Sequence, residues 1–168
     1  MVKKIPADDR RAQYKAADVD VDLDELRAHL EGNHQWVLAT TRADGRPQMS
    51  LVTGGMTADG RLAVATYPMR AKTKNAARNP DVSVLVMAEN GFHGAWVQID
   101  GQATVLDMPD PAAADALVEY FRCISGEHDD WDEYRQAMDD QGKSAIVIEP
   151  TRWSPISRGG FPPELFED

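Results

Sequence analysis

A series of strand-like runs joined by tight turns constrains this chain more than anything else in it. The run WVLATT at 36–41 is followed by an Asp44-Gly45 turn signal. A second run at 48–52 passes through Gly54-Gly55 to another turn at Asp59-Gly60, and LAVATY follows at 62–67. The run at 81–88, DVSVLVMA, reads as a buried strand. The segments 95–100 and 102–106 read as one long strand interrupted at Gly101, where glycine marks a bulge. AIVI at 145–148 is the last strand. Strands that follow one another across two-residue turns pair antiparallel, and the βα alternation of a parallel sheet is missing. About six such strands predict an antiparallel sheet closing partly into a barrel.

Helices fill the gaps. Asp22 caps a short helix with Leu23, Leu26 and Leu30 on one face, ended by Gly32. Another short helix is expected from about Lys72 to Arg78, closed by Asn79-Pro80. Asp110 and Pro111 start a longer one with Leu117, Tyr120, Phe121 and Ile124 facing inward, and 131–138 forms the last. Residues 1–20 are polar and aperiodic and read as a flexible arm, leaving 21–168 as one domain. The chain has a single cysteine, no apolar leader and no apolar run of about 20 residues, which points to a cytoplasmic protein without membrane spans.

Charge then singles out one segment. The chain carries 28 acidic and 18 basic side chains, a formal net charge of -10, which argues against nucleic-acid or anionic-membrane partners. Yet Arg70, Lys72, Lys74 and Arg78 crowd into nine consecutive positions. The first three fall at a helix start, where the dipole and free N–H groups favour an anion and disfavour a cation. With Thr73 and Asn75 as further donors, this corner is suited to a phosphate on a small ligand. The histidines at 29, 34, 93 and 128 have no metal-ligand spacing, and no serine lies in a nucleophile elbow. Trp36 and Trp131 are expected in the core; Trp96 and Trp153 are candidates to line a pocket.

Residues 66–80, with Lys72 seven residues before Asn79-Pro80, resemble the phosphate-gripping segment of the pyridoxamine-phosphate-oxidase-like split β-barrel flavoproteins. WVQIDGQA at 96–103 is similar to their long strand, and SGEHDDWDEYRQAM at 125–138 is similar to a small actinobacterial branch that uses the deazaflavin coenzyme F-420. The resemblance implies that Lys72 contacts the cofactor phosphate with Arg70 and Lys74 beside it. It implies that Ala65 and Thr66 lie along the ring, and that Gln48, Met49 and Ser50 meet the ring's polar edge. Many members have a basic residue just before this lysine; here it is Ala71. The resemblance further implies a homodimeric oxidoreductase passing a hydride to or from a small organic substrate. Tyr67, Gln98 and Arg158 are candidate pocket residues, each taken alone read as structural rather than catalytic. An FMN-dependent enzyme of the same fold, and a non-catalytic binder of flavin, deazaflavin or haem, are the other two readings.

Overall fold

Alternation along the strand runs decides which way each side chain points, and the observed pairing follows it. The computed structural model describes residues 18–19, 21–88 and 94–158. It contains strands β1 (Asp18–Val19), β2 (Gln35–Thr41), β3 (Pro47–Met56), β4 (Leu62–Thr66), β5 (Asp81–Met87), β6 (Ala95–Asp107), β7 (Ser144–Trp153) and β8 (Ile156–Arg158). The helices are α1 (Leu23–Leu30), α2 (Ala71–Arg78), α3 (Pro111–Ser125) and α4 (Trp131–Asp140). β2 pairs with β3 and β5, β3 with β4, β4 with β7, and β7 with β6, which returns to β5. The result is a closed antiparallel barrel of six strands with helices around it, the split-barrel fold expected.

Trp36, Leu38, Val64, Val84, Ile99 and Ile148 fill the barrel and are essentially inaccessible. Leu26 and Leu30 of α1 join the same core, as does Ala76 of α2. Leu23 instead points outward, 41% exposed. α1 begins as its sequence dictates: Asp22 and Glu25 form a reciprocal capping box. α3 and α4 pack outside β7, where Leu117, Val118 and Tyr134 cover Ala145 and Val147. Here the expected inner face of α3 needs correction. Ala113, Ala114, Leu117 and Val118 are buried, while Tyr120, Phe121 and Ile124 are half-buried. Small alanines let the helix approach the sheet closely. Trp131 also lies outside the main core, half-buried edge-on to Phe121 and Tyr134.

The strands depart from the sequence reading most in three places. β3 runs on through Gly54-Gly55 to Met56, and β7 extends to Trp153. Asp18–Val19, at the end of the expected arm, pairs with β8. The rest of that arm, His93 and the tail beyond 158 lie outside the described residues, as does the side chain of Arg158. The bulge expected at Gly101 is present: the β6–β7 register shifts between Asp100 and Gly101. A Cβ at Gly101 would sit 2.5 Å from the Glu149 carbonyl oxygen, so only glycine fits where these strands cross. The β3–β4 turn is held by Asp59, which accepts from the Thr57 hydroxyl at 2.5 Å and from Arg61 Nε at 2.8 Å. Those bonds, Arg61 first, lower its carboxyl pKa to about 2.

Candidate functional site

The barrel's neighbouring strands β3 and β4 part along their length, and pairing shows where. β3 meets β4 only at Gly54, Gly55 and Met56, opposite Val64, Ala63 and Leu62. Beyond that fork, residues 47–53 of β3 pair with β2 alone, while Ala65 and Thr66 of β4 pair with β7. A strand edge free on one side presents backbone donors and acceptors to whatever enters the gap. Gln48, Met49 and Ser50 lie on that free edge. Ala65 and Thr66 lie on the opposite prong.

α2 follows β4 and packs against β2, β3, β6 and β7. Its N-terminus is built without any anion of its own. The cap position is Arg70, which makes no capping hydrogen bond through its side chain, and no acidic residue occupies the first turn. Among the described residues neither Arg70, Lys72 nor Lys74 has a carboxylate in ion-pair distance. Arg70 and Lys74 are exposed, whereas Lys72 is half-buried. Burial, followed by the like charge of Arg70, lowers the Lys72 pKa. Three cations at the positive end of a helix, one of them partly desolvated, oppose the helix dipole and favour a neighbouring anion.

Sequence reasoning missed a fourth cation. Lys143 precedes β7, and its Nζ stands 4.0 Å from the centroid of the Tyr67 ring. Because Ser144 pairs with Thr66, this lysine arrives beside the turn that leads into α2. Two strands and three helices lie between Tyr67 and Lys143 in sequence, so no local spacing signals it.

Two expected ligand donors are used inside the protein instead. Thr73 is buried; its hydroxyl donates to the Tyr67 carbonyl at 2.8 Å and stands 3.3 Å from Thr66 Oγ1. Asn75 is buried too; its Nδ2 donates to Thr40 Oγ1 at 3.1 Å. Both residues fix α2 to the barrel rather than reach for a ligand. The backbone N–H groups and the cations are what remain for an anion.

Trp96 stands apart from this corner within one chain. It lies on the outer sheet face, where register sets Trp96 beside Met87 and aligns Gln98, Leu85, Val37 and Leu51 in the next row. Leu51 is 84% exposed, Met49 68% and Trp96 37%. Towards β6 the face turns polar. Asp100 accepts from Ser83 Oγ at 2.7 Å, Gln98 Nε2 at 2.9 Å and Arg152 Nη2 at 2.9 Å, bonds that lower its pKa, Gln98 first. A groove of about 510 Å³ runs beside these residues. Trp153 lines a neighbouring groove, and its Nε1 donates to the Val21 carbonyl at 2.9 Å. Cys123 is half-buried with Sγ donating to the Met56 carbonyl, and burial raises its pKa, as expected of a packing residue. Among the described residues no cluster of ligating side chains could hold a metal ion.

Comparison with known proteins places this geometry. Residues 23–157 match the family of pyridoxamine 5'-phosphate oxidase. Among solved structures, a conserved hypothetical protein from Mycobacterium tuberculosis superposes with a TM-score of 0.68 at 21% identity, covering 84% of this chain and 88% of that one. A protein described as an F-420 reductase superposes at 0.56 with 24% identity, covering 76% and 94%. The haem storage protein HutZ from Vibrio cholerae does so at 0.61 with 18% identity, covering 81% and 95%. At these identities the likeness shows the fold.

Proposed function

Because the chain belongs to the pyridoxamine 5'-phosphate oxidase family, whose members bind flavin or deazaflavin cofactors, we propose that it is a coenzyme F-420-dependent oxidoreductase acting on a small organic substrate. One observation supports this above others. The unpaired cations of the α2 N-terminus adjoin the fork between β3 and β4, so an anionic tail and a flat ring have adjacent places to bind. When bound, the deazaflavin supplies the hydride chemistry. Lys72 holds its phosphate in a partly desolvated setting, with Arg70, Lys74 and Lys143 adding attraction from the rim. The free edge at 47–53 orients the ring, and Ala65 and Thr66 bound it from the other prong. The barrel core beneath keeps water from that side. The similarity of the 125–138 segment to the deazaflavin-using branch favours F-420 over FMN.

The test is direct. Purified protein titrated separately with coenzyme F-420 and with FMN should bind F-420 more tightly. Equal affinity would remove the preference for the deazaflavin, and preference for FMN would transfer the assignment to it.

The working form in this reading is a cytoplasmic homodimer. Among the described residues no helix is long and apolar enough to cross a membrane. The outer face bearing the exposed Met49, Leu51 and Trp96 is the surface a second copy would cover. Leu51→Asp places an unpaired carboxylate on that face and should yield a monomer in sedimentation. A wild-type chain that sediments as a monomer contradicts the dimer.

A further inference from the structure

A pocket between α1, β3 and α3 shares no residue with the free edge of β3 or with α2. Arg27, Leu30 and Glu31, then His34 ahead of β2, Met56 and Cys123 enclose about 260 Å³. The pocket is therefore present whether or not the cofactor reading holds. A drug-sized ligand needs roughly 300 Å³ or more, so an occupant of this space is smaller than that.

Its polar atoms can be accounted for one at a time. Arg27 and Glu31 stand four apart at the end of α1, the spacing at which opposite charges meet on a helix. They do not pair. Arg27 gives Nη1 to the Thr57 carbonyl at 2.9 Å and Nη2 to the Ala58 carbonyl at 3.2 Å, which turns the guanidinium towards the β3–β4 turn. Among the described residues the Glu31 carboxylate has neither an ion pair nor a hydrogen bond. His34 Nδ1 lies 3.0 Å from the Gly54 carbonyl oxygen, which can only accept, so Nδ1 carries the hydrogen and Nε2 keeps its lone pair. Cys123 has given its hydrogen to the Met56 carbonyl and shows the pocket only sulfur. Leu30 and Met56 form the apolar wall.

A carboxylate and a basic ring nitrogen both call for N–H donors, which an ammonium supplies best. The guanidinium, with three of its five hydrogens still to give, calls for an anion. An anion alone would face Glu31, a cation alone would face Arg27, and a wholly apolar molecule would strip water from both without replacing it. A small zwitterion meets every group at once. We propose that this pocket binds an α-amino acid with an aliphatic side chain. Its ammonium pairs with Glu31 and His34 Nε2, its carboxylate lies at Arg27, and its side chain rests on Leu30 and Met56.

Calorimetric titration of the full chain, without cofactor, uses L-leucine as the probe. Leucinamide, which lacks the carboxylate, and N-acetylleucine, which lacks the ammonium, are titrated beside it. Leucine should bind saturably, and each analogue should bind roughly 10-fold more weakly or worse. Glu31 is exposed, so Glu31→Gln should fold normally and weaken leucine by about the same 10-fold. The same variant should leave N-acetylleucine unchanged, because removing the ammonium and removing its carboxylate are one loss. His34→Asn keeps a side-chain amide donor for the Gly54 carbonyl and removes the ring acceptor. It should weaken leucine by roughly 5-fold at an unchanged melting temperature. Failure of leucine to bind overturns the proposal. So does equal binding of the three probes, or a Glu31→Gln variant with undiminished affinity for leucine. Titration of the same protein with coenzyme F-420 and FMN tests the functional reading separately.

Discussion

Lys72→Ala should weaken cofactor binding by about 1–3 kcal/mol, roughly 5- to 150-fold in Kd, without loss of fold stability. The two signs come from one cause. Folding leaves Lys72 half-buried beside Arg70 with no carboxylate partner, so its charged form is disfavoured and its pKa is lowered. A lysine whose folded pKa lies below its unfolded value penalises the fold while it is charged in both states. That penalty is complete below the folded pKa and is relieved as pH rises to the unfolded value, 10.5. Removing the side chain at neutral pH removes the penalty and one cation opposed to the helix dipole. The apo protein should therefore keep or slightly raise its melting temperature. A bound phosphate reverses the balance, because the same partial burial that disfavours the lone charge strengthens its attraction to an anion. Arg70 and Lys74 are exposed and screened, so alanine at either should cost less than at Lys72. Fluorescence titration of each variant against thermal melts gives both axes. An apo protein destabilised by Lys72→Ala, or an unchanged Kd, would show that this lysine serves the fold and not a ligand.

What the sequence makes legible follows from how local each cause is. The strand runs, the Asp-Gly turns, the Asp22 and Asp110 caps and the bulge at Gly101 each depend on neighbours in the chain, and each appears where the pattern puts it. The basic corner is legible for the same reason, since its charges are close together in the chain. Lys143 is not, because only the β4–β7 pairing carries it to Tyr67. Thr73 and Asn75 show a second limit. Their polarity is plain in the sequence, but whether they face ligand or barrel depends on Tyr67 and Thr40 occupying the space beside them. The fork itself is hidden by two glycines that look like turn punctuation and lie within a strand.

Gly54→Ala should accordingly be among the most destabilising single changes in the chain, about 3 kcal/mol or more, above the usual range for one added methyl group. The reason is space and not backbone freedom, for Gly54 is absent from the glycines with positive φ. A Cβ there would overlap Cε3 and Cζ3 of Trp36 and sit 2.9 Å from its Cδ2. The Trp36 ring is 1% exposed, and its Nε1 donates to the Asn33 carbonyl at 2.6 Å, so it has nowhere to retreat without breaking that bond. Gly54 is also the first β3 residue to pair with β4, opposite Val64. Pushing β3 off the tryptophan moves the point at which the two strands part, and with it the gap between the free edge of β3 and the basic corner. Urea unfolding should show a lower midpoint at unchanged slope. In a Trp36→Leu background, itself destabilised by the smaller side chain, adding Gly54→Ala should cost much less than in wild type, because the overlap has gone. Equal costs in the two backgrounds would mean that the fork is set by something other than the fit of Trp36 against a bare backbone.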